Sequence, residues 1–310
     1  MLEKIRENIY KVNIRFSSSG MQEVNCYLFK GEQGYTVIDT GLYSKEAFEV
    51  WRRVLETGIV VEKVVLTHTH QDHIGLAKWF QDNVGVPVYT SNLGYKEMQK
   101  NRETNVRDKI KRLVVKHGGY ELPTNSEDGS FIYDFEPDGF FEKNREILLG
   151  DELYEAIWTP GHAPDHFCFY NKSNKVMIVG DHLLKDISPV IGLWTGEEAN
   201  PVEDYYHSLE LIANCPTNIA LPGHGESIFE LNKRVAETKS RHASRLQQVL
   251  EGVENERKTA HQVCEEIYGN LESALYVSQL MATITRLIYL ESVGKVKRVE
   301  EEGIVMFQAI

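Results

Sequence analysis

Residues 67–75 read T-H-T-H-Q-D-H-I-G and place His68, His70, Asp72 and His73 within six positions. Three imidazoles and a carboxylate at that spacing form a donor set for a borderline divalent ion such as zinc. Four further stretches carry single donors of the same kind. These are Asp39-Thr40-Gly41, His162 within T-P-G-H-A-P-D-H at 159–166, Gly180-Asp181-His182 and Pro222-Gly223-His224-Gly225. One histidine after an apolar run is usually just a polar cap. The same arrangement at five strand ends points to convergence on one site.

The elements that must deliver these residues are legible as short apolar runs. Tyr10, Val12, Ile14 and Phe16 alternate with polar residues, as in a half-buried strand. Residues 24–29 and 35–38 follow around the turn Gly31-Glu32-Gln33-Gly34, and the second ends at Asp39. Residues 44–56 predict a helix. The β-branched run Val60, Val61, Val64, Val65 predicts the strand before His68, and Ile74, Leu76, Ala77, Trp79 and Phe80 a helix after it. Residues 86–90, 147–149, 153–158, 176–179 and 219–221 predict further strands, the last three ending just before His162, Asp181 and His224. Residues 200–212 predict a helix.

Two stretches interrupt this rhythm. Residues 96–117 predict one amphipathic helix through Val106, Ile110, Leu113 and Val114, with eight Lys/Arg against three acidic residues. Either those charges steer an anionic part of a substrate towards the site, or the acidic segment 121–145 neutralises them. The loop 189–194, P-V-I-G-L-W, suits either a pocket wall for an apolar substrate part or core packing.

A chain of 310 residues with 42% hydrophobic content predicts one large domain and a small one. No apolar stretch approaches the length of a membrane span, and charges interrupt the first fifteen residues where a signal peptide would be apolar. The net charge of −12 argues against general binding to nucleic acid or anionic membranes. Cys26, Cys168, Cys215 and Cys264 show no paired spacing and are expected to be free thiols. These features predict a soluble cytoplasmic protein.

The series Asp39, His68-x-His70-x-Asp72-His73, His162, Asp181 and His224 resembles the five-motif set of the metallo-β-lactamase superfamily, nearest its glyoxalase II-like branch, over residues 9–230. The resemblance implies an α/β fold, an αβ/βα sandwich with a metal cleft at one sheet edge. It implies two divalent ions, zinc first, with iron and manganese as alternatives. His68, His70 and His162 would hold one ion, and Asp72, His73 and His224 the other. Asp181 would bridge them, with Asp72 and Asp181 as the catalytic carboxylates. Asp39 would support the histidine loop from behind. Redox-active diiron relatives carry Glu at the position of His70, which favours a hydrolase here; persulfide dioxygenases, with one iron in a similar set, stay open. His166 and His182 lie beside ligand positions and fall outside the ligand set. Each suits a hydrogen bond to a ligand or substrate, or a purely structural role; His166 is placed behind the ligands with Asp39.

The chemistry follows from the ions. Two of them about 3.5–4 Å apart hold one water between them and lower its pKa towards ~7. The resulting hydroxide attacks an ester or thioester; a nuclease or phosphodiesterase reaction is the alternative on the same centre. Were one ion absent, Asp72 could serve as a general base.

Beyond residue 230 the pattern turns helical. Leu246, Val249, Leu250 and Val253 share one face, Thr259-Ala260-His261-Gln262 is a capping box, and a helix is predicted over 273–293. A hairpin around Glu300-Glu301-Glu302-Gly303 closes the chain. This order resembles a winged helix, so the expected division is 1–230 for catalysis, with a helical insertion at 96–145, and 231–310 as the winged-helix-like part. Residues 240–310 carry eight basic and ten acidic residues, so DNA binding is not expected. Packing or homodimer formation is the expected role, and a small molecule the expected substrate.

Overall fold

The computed structural model describes residues 2–16, 23–103, 106–122, 129–269 and 273–310. Seven strands form the first sheet in chain order: β1 (Leu2–Arg6), β2 (Ile9–Arg15), β3 (Glu23–Lys30), β4 (Tyr35–Ile38), β5 (Val61–Val65), β6 (Val88–Ser91) and β7 (Gly139–Phe141). The second sheet holds β8 (Glu146–Leu149), β9 (Glu152–Trp158), β10 (Phe167–Asn171), β11 (Val176–Gly180) and β12 (Ile219–Pro222), ordered β12-β11-β10-β9-β8.

The two-residue repeat of a strand explains how the sheets stack. On β3, Val24, Cys26 and Leu28 point to an outer layer that includes Trp51. Tyr27 and Phe29 point inward, against Tyr154, Phe167 and Phe169 of the second sheet. On β11 the same alternation sends Val176 and Ile178 inward and Met177 and Val179 outward. Strands buried on both faces read as continuous apolar runs, as β11 does.

The outer layers are helical. Helix α1 (Lys45–Glu56) starts at Ser44, whose hydroxyl caps the N–H of Ala47, and buries Ala47, Trp51 and Val54 on the first sheet. After β5 come only two short helices, α2 (Gln71–Ile74) and α3 (Ala77–Trp79), and a π turn over Phe80–Val84. Residues 96–117 are not one helix. They belong to α4 (Asn92–Arg102), capped by Ser91, and α5 (Val106–Lys116), and Glu103 between them is extended. The stretch 96–145 is also not wholly helical, because Gly139–Phe141 pairs in parallel with β6 as the edge strand. Residues 123–128 of the acidic segment lie outside the described residues.

On the second sheet lie α6 (Pro201–Ala213) and α7 (Leu231–Gly252). The chain ends with α8 (Ala260–Tyr268), α9 (Ser273–Ser292) and a three-stranded sheet of β13 (Lys258–Thr259), β14 (Val296–Glu301) and β15 (Ile304–Ala309). The capping box forms: Thr259 Oγ1 accepts from the Gln262 N–H, and the Gln262 side chain accepts from the Thr259 N–H. Leu280, Met281, Ile284, Leu287 and Leu290 of α9 are buried, together with Leu113 and Val114 of α5. Helix α9 is thus the central core helix of this region. Among the described residues no helix is long and apolar enough to cross a membrane. The four cysteines are free, three buried and Cys215 partly so.

Candidate metal centre

Strand direction brings the donors to one edge. Strands β4 and β5 run parallel, as do β11 and β12, while two antiparallel steps through β10 give β9 the direction of β11. The C-terminal ends of all five strands therefore face the same edge, where their loops carry Asp39, His68, His162, Asp181 and His224. Hydrogen bonds across the sandwich tie these loops together. Phe167 N–H donates to the Thr67 carbonyl (2.9 Å), Asn25 N–H to that of Gly223 (2.7 Å), and the Tyr27 hydroxyl to that of Pro222 (2.8 Å).

The donors fall into two groups. His68, His70 and His162 form one; Asp72, His73, Asp181 and His224 form the other, with ligand atoms in each within 4.8 Å of one another. Asp181 touches both: its Oδ2 lies 3.5 Å from His162 Nε2 and 3.2 Å from His224 Nε2, and its Oδ1 lies 3.4 Å from His73 Nε2.

Hydrogen bonds behind the rings fix which nitrogen is free. Thr67 N–H and its hydroxyl both donate to Asp39 (2.8 and 2.7 Å), so the Thr67 oxygen accepts from His68 Nδ1 (2.9 Å). His73 Nδ1 donates to Asp39 (2.8 Å), His162 Nδ1 to the Val190 carbonyl (2.9 Å), and His224 Nδ1 to the Glu23 carbonyl. In the neutral ring each Nε2 then carries the lone pair, although Asp181 and Asp72 favour a proton on His73 and His224 until a cation takes its place. The Nε2 atoms of His68, His73, His162 and His224, and Asp181 Oδ1, are buried without a hydrogen-bond partner. Five buried polar atoms without partners, aimed at one space, would be costly in a plain core. They fit divalent ions.

Electrostatics agree. Burial lowers His68 and His162 below the usual imidazole range, and burial together with His162 lowers His70 to about 3, so this group is neutral and able to ligate. Burial opposes ionisation of Asp72 and Asp181, but His73 and His224 hold both carboxylates well below their usual range. Burial likewise opposes charge on His224, yet Asp181 and then Asp72 raise it to about 10. Carboxylates that demand this much neighbouring positive charge are ones a cation would satisfy.

His166 joins neither group. Its Nε2 accepts from the Asp181 N–H (3.2 Å) and its Nδ1 is bonded to Thr159 (2.8 Å), so it braces the turn at Asp181. Gly180 fits there with φ +46°, where a Cβ would lie 2.6 Å from His166 Nε2. His182 is buried against Tyr205, and burial lowers it to about 3.

Sequence reading missed Asp165. Its Oδ2 accepts from both the N–H and the hydroxyl of Thr69 (2.9 and 2.8 Å), pinning the residue between His68 and His70 to the His162 loop. Burial raises Asp165 to about 7, against the pull of Thr69. Nothing local in T-P-G-H-A-P-D-H marks this partner, which lies 96 residues upstream.

A cavity of about 880 Å³ opens beside His70, Asp72, His162 and Asp181. It runs between the α4–α5 pair and the loop from β11 to α6, and Pro189, Val190, Leu193 and Trp194 line it. Ile191 and Leu193 are also buried, so this loop both walls the pocket and packs in the core.

A two-sheet sandwich with this donor edge has the architecture of a metal-dependent enzyme. The chain matches the Metallo-beta-lactamase superfamily over residues 20–224 and belongs to that family. It is 28% identical over 276 residues to the probable metallo-hydrolase YqjP of Bacillus subtilis (strain 168), covering 85% of each chain. It is 30% identical over 163 residues to hydroxyacylglutathione hydrolase GloC of Haemophilus influenzae, covering 52% of this chain and 67% of that protein. The crystal structure of metallo-beta-lactamase family protein TTHA1429 from Thermus thermophilus superposes with TM-score 0.85 at 25% identity, covering 99% of this chain and 100% of that one.

Proposed function

We propose that the protein hydrolyses a carboxylic ester or thioester at a centre of two divalent ions, zinc in the first instance. His68, His70 and His162 would hold one ion and Asp72, His73 and His224 the other, with Asp181 within reach of both groups. Ions bound there would supply the activation of a water and of the acyl oxygen. Asp39 and Thr67 fix the ring orientations of His68 and His73, and His166 fixes the backbone of Asp181. The acyl–oxygen or acyl–sulfur bond breaks, the water oxygen takes its place on carbon, and the leaving alkoxide or thiolate takes up the proton that the water gives up. Asp72, only partly buried at the cavity wall, would be a ligand of the second ion, and would be free to act as a general base were that ion absent. The relative named as a hydroxyacylglutathione hydrolase supports the thioester reading.

The C-terminal region, 231–310, is a winged-helix-like module that packs on the catalytic domain, 1–230, and does not read nucleic acid. The observation that carries the functional reading is the convergence of four buried, unpartnered Nε2 atoms on one space. Elemental analysis with metal add-back should approach two equivalents per chain, and Asp181→Ala should lower both affinities together. Saturation at one equivalent would sink the binuclear centre.

A further inference from the structure

The eight basic residues of 96–117 suggest an anion-attracting cap, but the side chains nearest the cavity are already engaged. Lys100 Nζ lies 2.8 Å from Glu97 and 3.7 Å from Glu197; Lys109 Nζ lies 3.5 Å from Glu103 and 3.4 Å from Glu197. Lys116 reaches Glu198 (3.4 Å) and Glu300 (3.7 Å), and Arg298 of β14 also holds Glu198 (2.6 Å). Arg102 is bound to Glu136 (2.9 Å) and to the carbonyls of Tyr133 and Phe135. Apart from the metal-site donors, the described cavity wall carries six carboxyl groups (Glu97, Glu103, Asp165, Glu197, Glu198 and Asp204) and two cationic residues, Lys100 and Arg107. Glu103, Glu197 and Glu198 are paired with Lys109, Lys100, Lys116 and Arg298, so the wall is compensated and offers an anionic tail no surplus of positive charge, in a protein whose net charge is −12. Between these groups the surface is apolar: Val106 and Ile110 of α5 on one side, and Ile187, Val190, Leu193 and Trp194 on the other.

We infer that the site takes an uncharged acyl substrate whose non-reacting part is an apolar chain or ring lying between Ile110 and Trp194, and that it disfavours polyanionic carriers such as CoA and nucleic acid backbones. This rests on the hydrolase reading above for the reaction and on the cavity alone for the binding. The volume matches a small-molecule site, for which 300–1,000 Å³ is about typical. Glu197 is the residue that sets the charge preference, because its carboxylate neutralises Lys100 and Lys109 together.

Two measurements separate the claims. Binding of an inert, uncharged N-octylbenzamide is read by quenching of Trp194 fluorescence, with Trp194→Phe as control. Saturable quenching at micromolar to low millimolar concentration is expected, and Ile110→Glu should abolish it. No binding would overturn the inference even if esters are hydrolysed. Turnover of the octanoyl thioester of N-acetylcysteamine is then compared with octanoyl-CoA. The neutral thioester should have the higher kcat/KM by roughly tenfold or more, since like-charge fields act on encounter at that scale. Glu197→Gln should narrow the ratio severalfold. Equal or better use of octanoyl-CoA would overturn the inference while leaving the hydrolase reading intact. Benzamide binding without hydrolysis of either thioester by metal-loaded protein would do the reverse.

Discussion

Thr285, in the middle of α9, donates its hydroxyl to the carbonyl of Ile191 (2.9 Å), and the adjacent carbonyl of Val190 accepts from His162 (2.9 Å). The C-terminal region thus reaches a candidate ligand through two adjacent loop residues. The same loop is held by Arg234 of α7, which donates to the carbonyls of Leu184 (2.6 Å) and Ile187 (2.7 Å).

Thr285→Val keeps the shape and removes the hydroxyl. It should cost about 1 kcal/mol of stability and weaken metal binding at the His68–His70–His162 group by roughly tenfold, as loss of an outer partner commonly does. Thr285→Ser should restore most of the affinity. Competitive chelator titration checks this, and a T285V protein that holds metal like the parent would remove the proposed link.

Asp165→Ala leaves the buried Thr69 N–H and hydroxyl without their acceptor. Stability should fall by about 1–3 kcal/mol, the usual cost of orphaned buried donors. Hydrolysis should fall further than the folded fraction does, because Thr69 lies between two candidate ligands, His68 and His70. Activity tracking stability alone would make Asp165 a structural residue only.

A Cβ at Gly223 would collide with Asp181 Oδ1 and lie 2.8 Å from His73 Cε1. Gly223→Ala should therefore fold yet bind less than two equivalents of metal, read by elemental analysis beside circular dichroism. Full occupancy in this variant would contradict the placement of Asp181 between the two groups.

His117 and His242 are buried away from the metal centre, and each is lowered to about 4. Burial is the main cause in both; Arg298 and Lys116 add to it at His117 against the pull of Glu198, and Arg286 adds to it at His242. A depressed histidine stabilises the fold above its unfolded pKa of about 6.5 and loses that contribution as pH falls towards 4. Roughly 3 kcal/mol from each should disappear across that window. Urea melts at pH 7.5 and 5 should show the slope, and His242→Gln should flatten it. An unchanged slope would mean that His242 titrates alike in the folded and unfolded chain, so that burial does not depress it.

The full chain should give no shift of a short DNA duplex at physiological salt. The apolar face of α9 is buried, Arg286 on it is held beside Tyr268, and the hairpin tip is Glu301-Glu302-Gly303. Phosphates would be repelled by that tip. Tight, sequence-dependent binding would require a different surface for this region.

What the sequence determined by itself was local. Short apolar runs ending in His or Asp specify strands that deliver donors to their termini, and two-residue alternation specifies which face each side chain takes. Those signals depend on neighbours only a few positions apart, so the donor residues, the strands before them and the Thr259 capping box were legible. Tertiary structure alone decided what depends on distant partners. Glu97 and Glu103 lie within the basic stretch, but Glu197 and Glu198, far downstream in the chain, close over its lysines and turn an apparent anion trap into a compensated wall. Asp165 reaches Thr69, and Thr285 reaches Ile191, across comparable separations. The break between α4 and α5 and the pairing of β7 with β6 were also hidden. Helical spacing constrains a face and not an axis, and an edge strand as short as β7 carries too little alternation to be recognised before its neighbour is in place.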